Sequence, residues 1–342
     1  MSASEDKPQR RPRYSGRNPR GFAQKYKEHA PERYPETVAK VIASGKTPAG
    51  SHVPVLMDEC LAALGLHEGD IGIDATLGYG GHAARILKQI TPAGKLLGLD
   101  IDPIEQPKTA ARLRALGYDE SAFEAVRSNF AGIAKVLATR GLDGVDFVFA
   151  DLGCSSMQFD DPARGFSFKS AGPLDMRMNP TRGLAASEWL ARIAVAKLEA
   201  ALHDHADEPR AEALAKALAG RSYSSTLALA TAVREAVSGL DEELVELTVR
   251  RVFQAVRIAV NEEFTALDAL LRVLPGCLKP GGRAVFLTFH SGEDRRVKKA
   301  FQAAERGGVY ASCSDGVISA GPEERRLNPR SASAKLRWAI KA

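Results

Sequence analysis

Between residues 71 and 151 the chain alternates short apolar strands with amphipathic helices, and few folds accept that order. Ile71-Gly-Ile-Asp74 reads as a strand running into the glycine turn Gly78-Tyr-Gly80-Gly81, and His82 to Ile90 follows at helical spacing. Lys95-Leu-Leu-Gly-Leu-Asp100, Phe123 to Val126 and Val145-Asp-Phe-Val-Phe-Ala-Asp151 read as further strands. Helices are expected over Val53 to Leu66, around Ala110, Leu113 and Leu116, and over Phe130 to Leu137. The last strand is nearly continuous in apolar residues, as a strand buried on both faces should be. Strands separated by helices build βαβ units and an α/β, doubly wound, Rossmann-like sheet.

The alternation stops near residue 165. Residues 185–274 hold no convincing strand but several Ala- and Leu-rich helices: Ser187 to Leu202, Ala211 to Leu218, Thr226 to Val237 and a run from Asp241 onward. Strand character returns at Arg283-Ala-Val-Phe-Leu-Thr-Phe289, after the turn Lys279-Pro-Gly-Gly282, and Lys335-Leu-Arg-Trp-Ala-Ile340 is a last strand. A returning strand needs a sheet to join. The expected organisation is therefore one α/β domain, residues 51–164 and 255–342, interrupted by an all-helical insertion over 165–254 on the substrate side. An independent helical domain is the alternative.

Charge separates residues 1–50 from the rest. The 342 residues carry 47 basic and 42 acidic side chains, a formal +5. The first fifty hold eleven Lys and Arg against five Asp and Glu, an excess of six, leaving 36 against 37, or −1, for the remainder. That excludes a uniformly cationic nucleic-acid coat. Six of the eighteen prolines also lie in this segment. It cannot bury enough apolar surface to offset its ordering entropy, and it reads as a disordered basic arm. It fits either a solubilising tail or nonspecific attraction to phosphate. Pro8, Pro12 and Pro19 break the amphipathic helix of an organelle presequence. No secretory h-region and no stretch of eighteen apolar residues is present, so no membrane span is expected. Four cysteines without a C-x-x-C pair, and seven histidines without ligand spacing, argue for reduced thiols, no metal and a cytoplasmic protein.

A strand ending in a glycine turn before a helix lets a ligand approach the backbone and meet helix N–H donors. Gly78-x-Gly80-x-x-Ala83 satisfies the dinucleotide fingerprint, which alone is weak. Asp100 ends the second strand 22 residues after Gly78, where an acid bonds ribose hydroxyls in nicotinamide and S-adenosylmethionine sites alike. Asp74 discriminates. A dehydrogenase usually places an apolar residue there, whereas S-adenosylmethionine brings an ammonium and a sulfonium that an acid suits. These residues favour a methyltransferase over a dehydrogenase, with a ligand-free glycine turn as the third reading. Asp151-Leu-Gly-Cys-Ser-Ser156 follows the fourth strand, at the carboxyl edge where ligands sit. Asp151, Ser155 and Ser156 offer acceptors that would turn an amine's lone pair toward a methyl donor. The structural alternative is a turn whose serine caps the next helix.

Longer motifs resemble one family. His52-Val-Pro-Val-Leu56, Asp74-Ala-Thr-Leu-Gly-Tyr-Gly-Gly-His82, Asp151-Leu-Gly-Cys-Ser-Ser-Met-Gln-Phe-Asp-Asp161 and Arg164-Gly-Phe-Ser-Phe168 resemble the MraW family, the small-subunit ribosomal RNA methyltransferases H of bacteria. Pro173-Leu-Asp-Met-Arg-Met178, Phe253-Gln-Ala-Val-Arg-Ile-Ala-Val-Asn261, Thr288-Phe-His-Ser-Gly-Glu-Asp294 and Asn328-Pro-Arg-Ser-Ala-Ser-Ala-Lys-Leu336 continue in family order. The resemblance implies a class I S-adenosylmethionine-dependent methyltransferase fold with an inserted helical domain. It implies N4-methylation of a cytidine, position 1402, in the decoding region of 16S rRNA, within the small ribosomal subunit or its precursor. It also places S-adenosyl-L-methionine contacts on Gly80, Gly81, His82, Asp100, Phe130, Asp151 and Gln158. On physical grounds alone Phe130 reads as core, and Gln158 has no spacing argument.

The family's pattern is broken at Ile101, at Pro107, which is expected to delay the following helix, and at Gly292, where a leucine is usual. Ala206-Asp-Glu208 and Thr248-Val-Arg-Arg also depart from it. On the substrate side, the twenty residues Phe159 to Met178 have little regular pattern, and long irregular loops are usually functional or disordered. Phe166 and Phe168, exposed beside Arg164 and Arg177, would stack a splayed base and meet phosphate. Otherwise these aromatics anchor the loop. Arg257 and Asn261 share a helix face; Arg257 meets phosphate or pairs with Glu262 or Asp268. Ser291 is expected to cap a helix with Asp294 at its third position, leaving His290 facing the ligand as a candidate base. Asn328 and Arg330 lie in a segment, 325–341, with six basic residues and no acid, a candidate RNA patch or edge-strand guard. The function so read is RNA cytidine methylation. A noncatalytic rRNA-binding assembly factor and a nicotinamide-dependent oxidoreductase are the alternatives.

Overall fold

A computed structural model describes residues 54–342, so the basic arm read over 1–50 lies outside the described residues. Its first elements repeat the expected alternation: α1 (Met57–Leu64), β1 (Ile71–Asp74), α2 (Gly81–Ile90), β2 (Lys95–Asp100), α3 (Glu105–Ala115), β3 (Phe123–Arg127), α4 (Ile133–Ala138) and β4 (Val145–Asp151). A short α5 (Ser156–Asp160) follows. Then come α6 (Ala186–Arg192), α7 (Val195–Ala206), α8 (Ala211–Leu218), α9 (Thr226–Ala236), α10 (Glu242–Val260) and α11 (Glu263–Cys277). The chain returns through β5 (Leu278–Thr288), α12 (Ser291–Arg306), β6 (Tyr310–Cys313), α13 (Pro322–Leu327) and β7 (Lys335–Lys341).

The seven strands form one sheet in the order β3-β2-β1-β4-β5-β7-β6. The pairs from β3 through β5 are parallel, and β7 lies antiparallel between β5 and β6. This is the class I methyltransferase arrangement of a doubly wound sheet. Two apolar cores sandwich it. Phe147 and Phe149 of β4 face the side covered by α1, α2 and α3, while Val148 and Ala150 face α4, α11 and α12. That period of two is what lets a continuous apolar strand serve both layers.

Helices α6 to α10 share a third core, with Leu190, Leu202, Leu214, Val233 and Val252 fully buried. The boundary expected at 254 falls inside α10, which continues unbroken to Val260. The single helix expected over Ser187 to Leu202 is two, because Ile193 and Ala194 are extended. Apolar periodicity runs across that break and does not reveal it. Pro107 does not delay α3, which starts at Glu105. Proline sits in the first turn, where no helical N–H bond is lost, and Asp102 Oδ1 accepts from Ile104 N at 2.9 Å and Glu105 N at 3.3 Å. The turn at 279–282 is a bulge within β5, whose pairing steps from Val145↔Leu278 to Phe147↔Arg283.

Candidate active site

The carboxyl ends of β1, β2 and β4 open on a cavity of about 1070 Å³. Its floor is the turn after β1. Gly78 N–H donates to Asp100 Oδ2 at 2.9 Å, and Thr109 Oγ1 donates to Gly78 O at 2.6 Å. Gly80 has φ +83°, and a Cβ there would stand 2.8 Å from Thr109 Cγ2, so the turn needs glycine for its conformation and its closeness. The turn delivers Gly81 to the start of α2. Thr76 Oγ1 accepts from Asp151 N at 2.6 Å, which ties the end of β1 to the end of β4.

Three carboxylates converge here. Asp74 is buried, and burial, with Asp100 nearby, pushes its pKa up to about 7 against a bond from Thr76 N–H. Asp100 rises to about 6 for the same reason, moderated by the N–H groups of Asp102 and Gly78. Asp151 rises to about 8 through burial and the charges of Asp74 and Glu293. The nearest base to Asp151 is His82, whose Nδ1 lies 3.5 Å from Oδ2. Burial lowers the His82 pKa to about 4, so at neutral pH it offers no cation. Among the described residues no cationic side chain pairs with Asp74. A ligand that carries its own positive charge fits this set of donors and acids.

Ser155 caps α5. Its Oγ accepts from Gln158 N at 3.3 Å, and Gln158 Oε1 accepts from Ser155 N at 3.0 Å, a reciprocal capping box. The cap occupies the Ser155 oxygen as acceptor and leaves its proton to donate. Ser156 Oγ meets Arg330, which also grips both oxygens of Asp160 at 3.1 Å. Phe130 follows the Asn129 cap of a 3₁₀ turn and borders the cavity beside Asp100.

The opposite wall comes from α10, α11 and α12. Arg257 Nε and Nη2 bond Glu263 at 2.9 and 3.0 Å, and Nη1 lies 3.5 Å from Cys154 Sγ. Burial opposes the charge of Arg257, but Glu263 outweighs it and holds the guanidinium above its ordinary pKa. Asn261 is saturated: Oδ1 accepts from Met178 N at 2.7 Å, and Nδ2 donates to Met176 O at 2.7 Å and Arg257 O at 2.9 Å. His290, not Ser291, caps α12. Its Nδ1 accepts from Glu293 N at 3.4 Å, and Nε2 lies 3.1 Å from Glu293 Oε1. Ser291 is drawn away to Asp207 at 2.7 Å, and Asp294 pairs instead with Arg337 at 2.6 Å. The cap thus occupies Nδ1, whereas Nε2, though close to Glu293 Oε1, has no hydrogen-bond partner among the described residues.

Gly78, Gly80, Gly81, His82, Asp100, Phe130, Asp151, Ser155, Ser156, Gln158, Arg257, Asn261, His290, Asn328 and Arg330 all border the cavity. Four expected substrate residues do not. Arg164 is 8% exposed and bonds Asp102 Oδ2 at 2.8 Å, with Arg177 O and Met178 O at 3.1 and 2.9 Å. Phe166 is buried at 3%, because an irregular loop needs an apolar anchor, and Phe168 packs edge-on against Phe253. Arg177 is spent on Asp175, through bonds of 2.6 and 2.8 Å. Cys154, Glu263, Phe264 and Glu293 border the cavity without having been singled out. Only Cys154 and Glu293, inside motifs, carried a signal; Glu263 reaches Arg257 because the chain reverses at Glu262, with φ +51°.

Gly292 has a packing reason. A Cβ there would lie 2.5 Å from Phe264 Cζ, so the phenyl ring takes the space a leucine would fill.

The comparisons agree with this geometry. The model of the MraW methylase family matches residues 49–342. Ribosomal RNA small subunit methyltransferase H 1 of Lachnoclostridium phytofermentans is 46% identical, over 97% of this chain and 93% of that protein. The H 2 protein of Alkaliphilus metalliredigens is 44% identical over all of both chains, and the H 1 protein of Agathobacter rectalis 43% identical over 99% of each. With the methyltransferase sheet and a family match over all the described residues, the chain belongs to the MraW methylase family.

Proposed function

We propose that the protein methylates the N4 amine of a cytidine in 16S rRNA of the small ribosomal subunit, using S-adenosyl-L-methionine. The observation that carries the reading is the position of Asp151, an acceptor at the end of β4 between the glycine turn and the wall of α10 to α12. The relatives' names supply the RNA, and the resemblance of the motifs supplies the cytidine. Bound in the cavity, S-adenosylmethionine supplies an electrophilic methyl group on a sulfonium. Asp100, oriented by two backbone N–H groups, has lone pairs left for ribose hydroxyls. The backbone of Gly78, Gly80 and Gly81 admits close approach, Phe130 offers an aromatic face, and Asp74 provides negative charge for a cationic ligand.

Asp151 accepts one N–H of the cytosine amine and so aims the nitrogen lone pair along the transfer line. As the methyl group passes to nitrogen its bond to sulfur breaks and a neutral thioether leaves; the nitrogen gives up a proton, and Asp151, which the cofactor's positive charge would hold ionised, stands to take it. An exocyclic amine inside a stack is out of reach, so the base is extruded into the cavity, against Arg257, Asn328 and Arg330. Such a substrate places the protein in the cytoplasm. Among the described residues no helix is long and apolar enough to cross a membrane.

The test is incubation with labelled S-adenosylmethionine and undermethylated small subunits. Label on one 16S cytidine, recovered as N4-methylcytidine, is expected. Label on another base, or none on RNA, overturns the reading.

A further inference from the structure

Asp102 is fully buried and does not border the cavity, yet three of the cavity's walls meet on it. Its N–H donates to Asp100 Oδ1 at 2.8 Å, fixing the acid at the end of β2. Its Oδ1 accepts from Ile104 N and Glu105 N, which starts α3. Its Oδ2 accepts from Gln158 Nε2 and Arg164 Nη1, each at 2.8 Å. Four donors thus fill the four lone-pair directions of one carboxylate.

Each Oδ2 partner leads to a different wall. Gln158 Oε1 holds Ser155 N and thereby the loop after Asp151. Arg164 Nη2 holds the carbonyls of Arg177 and Met178, and Met178 N is held in turn by Asn261 at the end of α10. Met178 itself borders the cavity. Arg164 is therefore a clamp on the substrate-side loop, and Asp102 joins that clamp to the acid and the acceptor loop.

We propose that Asp102 and Arg164 are positioning residues that set the distance between the cofactor wall and the RNA wall of the cavity. Neither touches a reactant. Their effect is geometric: a shift of one wall by about 1 Å misaligns donor and acceptor and costs on the order of a hundredfold in rate. The proposal rests on the methyltransferase reading.

The test uses the full chain. D102N turns a donor toward two donors, and D102N/R164Q replaces the buried ion pair with amides that can still bond. For each, kcat and the KM for RNA are measured per cofactor-binding site, counted by calorimetric stoichiometry. Expected is a kcat loss of about tenfold or more in both variants, with cofactor affinity changed far less. A folded, cofactor-binding double variant with wild-type kcat and KM overturns the proposal. Should D102N not fold, R164K is decisive, since it keeps the charge on Asp102 but cannot also span two carbonyls. A stable R164K enzyme at wild-type kcat overturns the proposal, and a slow one supports it. Wild-type protein that transfers no methyl to small-subunit RNA defeats the underlying reading before any variant is made.

Discussion

The glycine turn and the long irregular loop border one cavity but are built on opposite principles. The turn, Asp74 to His82, is contiguous, and its shape comes from two glycines with positive φ and a helix start. The loop from Phe159 to Met178 takes its shape from distant partners: Asp102 for Arg164, Asn261 for Met178, Phe253 for Phe168. Local chemistry dictates the first, and tertiary bonds dictate the second. Arg164 and Phe166, which looked like RNA ligands, are therefore buried inside the loop, and Arg177 and Phe168 are engaged by Asp175 and Phe253.

The largest test of that contrast removes the acceptor between the two. Asp151→Ala should lower kcat by about a hundredfold to a thousandfold while cofactor still binds, measured by methyl transfer and calorimetry. Unchanged kcat would mean the acceptor lies on the loop side instead. Asn261→Ala should then cost about 1–3 kcal/mol of stability, because it strands Met178 N–H and Met176 C=O. Its RNA KM should rise with cofactor affinity unchanged, as seen by thermal denaturation and separate binding titrations. Gly80→Ala should do the converse: it costs about 1–2 kcal/mol from the left-handed backbone and weakens cofactor more than RNA.

A smaller effect lies in protons. The native pKa values of Asp74 and Asp151, about 7 and about 8, lie above the ordinary 3.8, so the folded state holds protons the unfolded chain releases. Their contribution to stability is complete at low pH and is lost as pH rises through those values. The Tm of cofactor-free protein should fall over that range, and Asp151→Asn should flatten the fall. A cationic ligand lowers both pKa values, so S-adenosylmethionine should bind with proton release near neutral pH, visible as a buffer-dependent binding enthalpy. Smallest is Arg330→Ala. It should raise the RNA KM only a few fold and shallow its salt dependence, since Asp160 already screens this guanidinium.

The sheet was legible because burial on both faces leaves an apolar run such as Val145 to Asp151, and β4 has those bounds. The glycine turn was legible because a strand that runs into a tight turn before a helix demands small residues at fixed offsets, and Gly78 and Gly80 do carry positive φ. Phe166 and Arg164 were misread because an aromatic in an irregular loop looks alike whether it anchors or stacks. The Arg257–Glu263 pair was missed, since helical spacing offers no i,i+6 contact and the reversal at Glu262 has no glycine to announce it. The cap of α12 moved one residue because a far side chain, Asp207, competes for Ser291.

Strands β4 and β5 lie side by side, yet the whole helical stretch from α6 to α11 is strung between them. The ends of that stretch are already pinned by strand pairing, so added length costs little extra chain entropy, growing only with its logarithm. That stretch can therefore change in length or content without re-registering the strands whose tips carry Asp74, Asp100 and Asp151. The sheet edge and the helical cover are thus mechanically separable, though they border the same cavity.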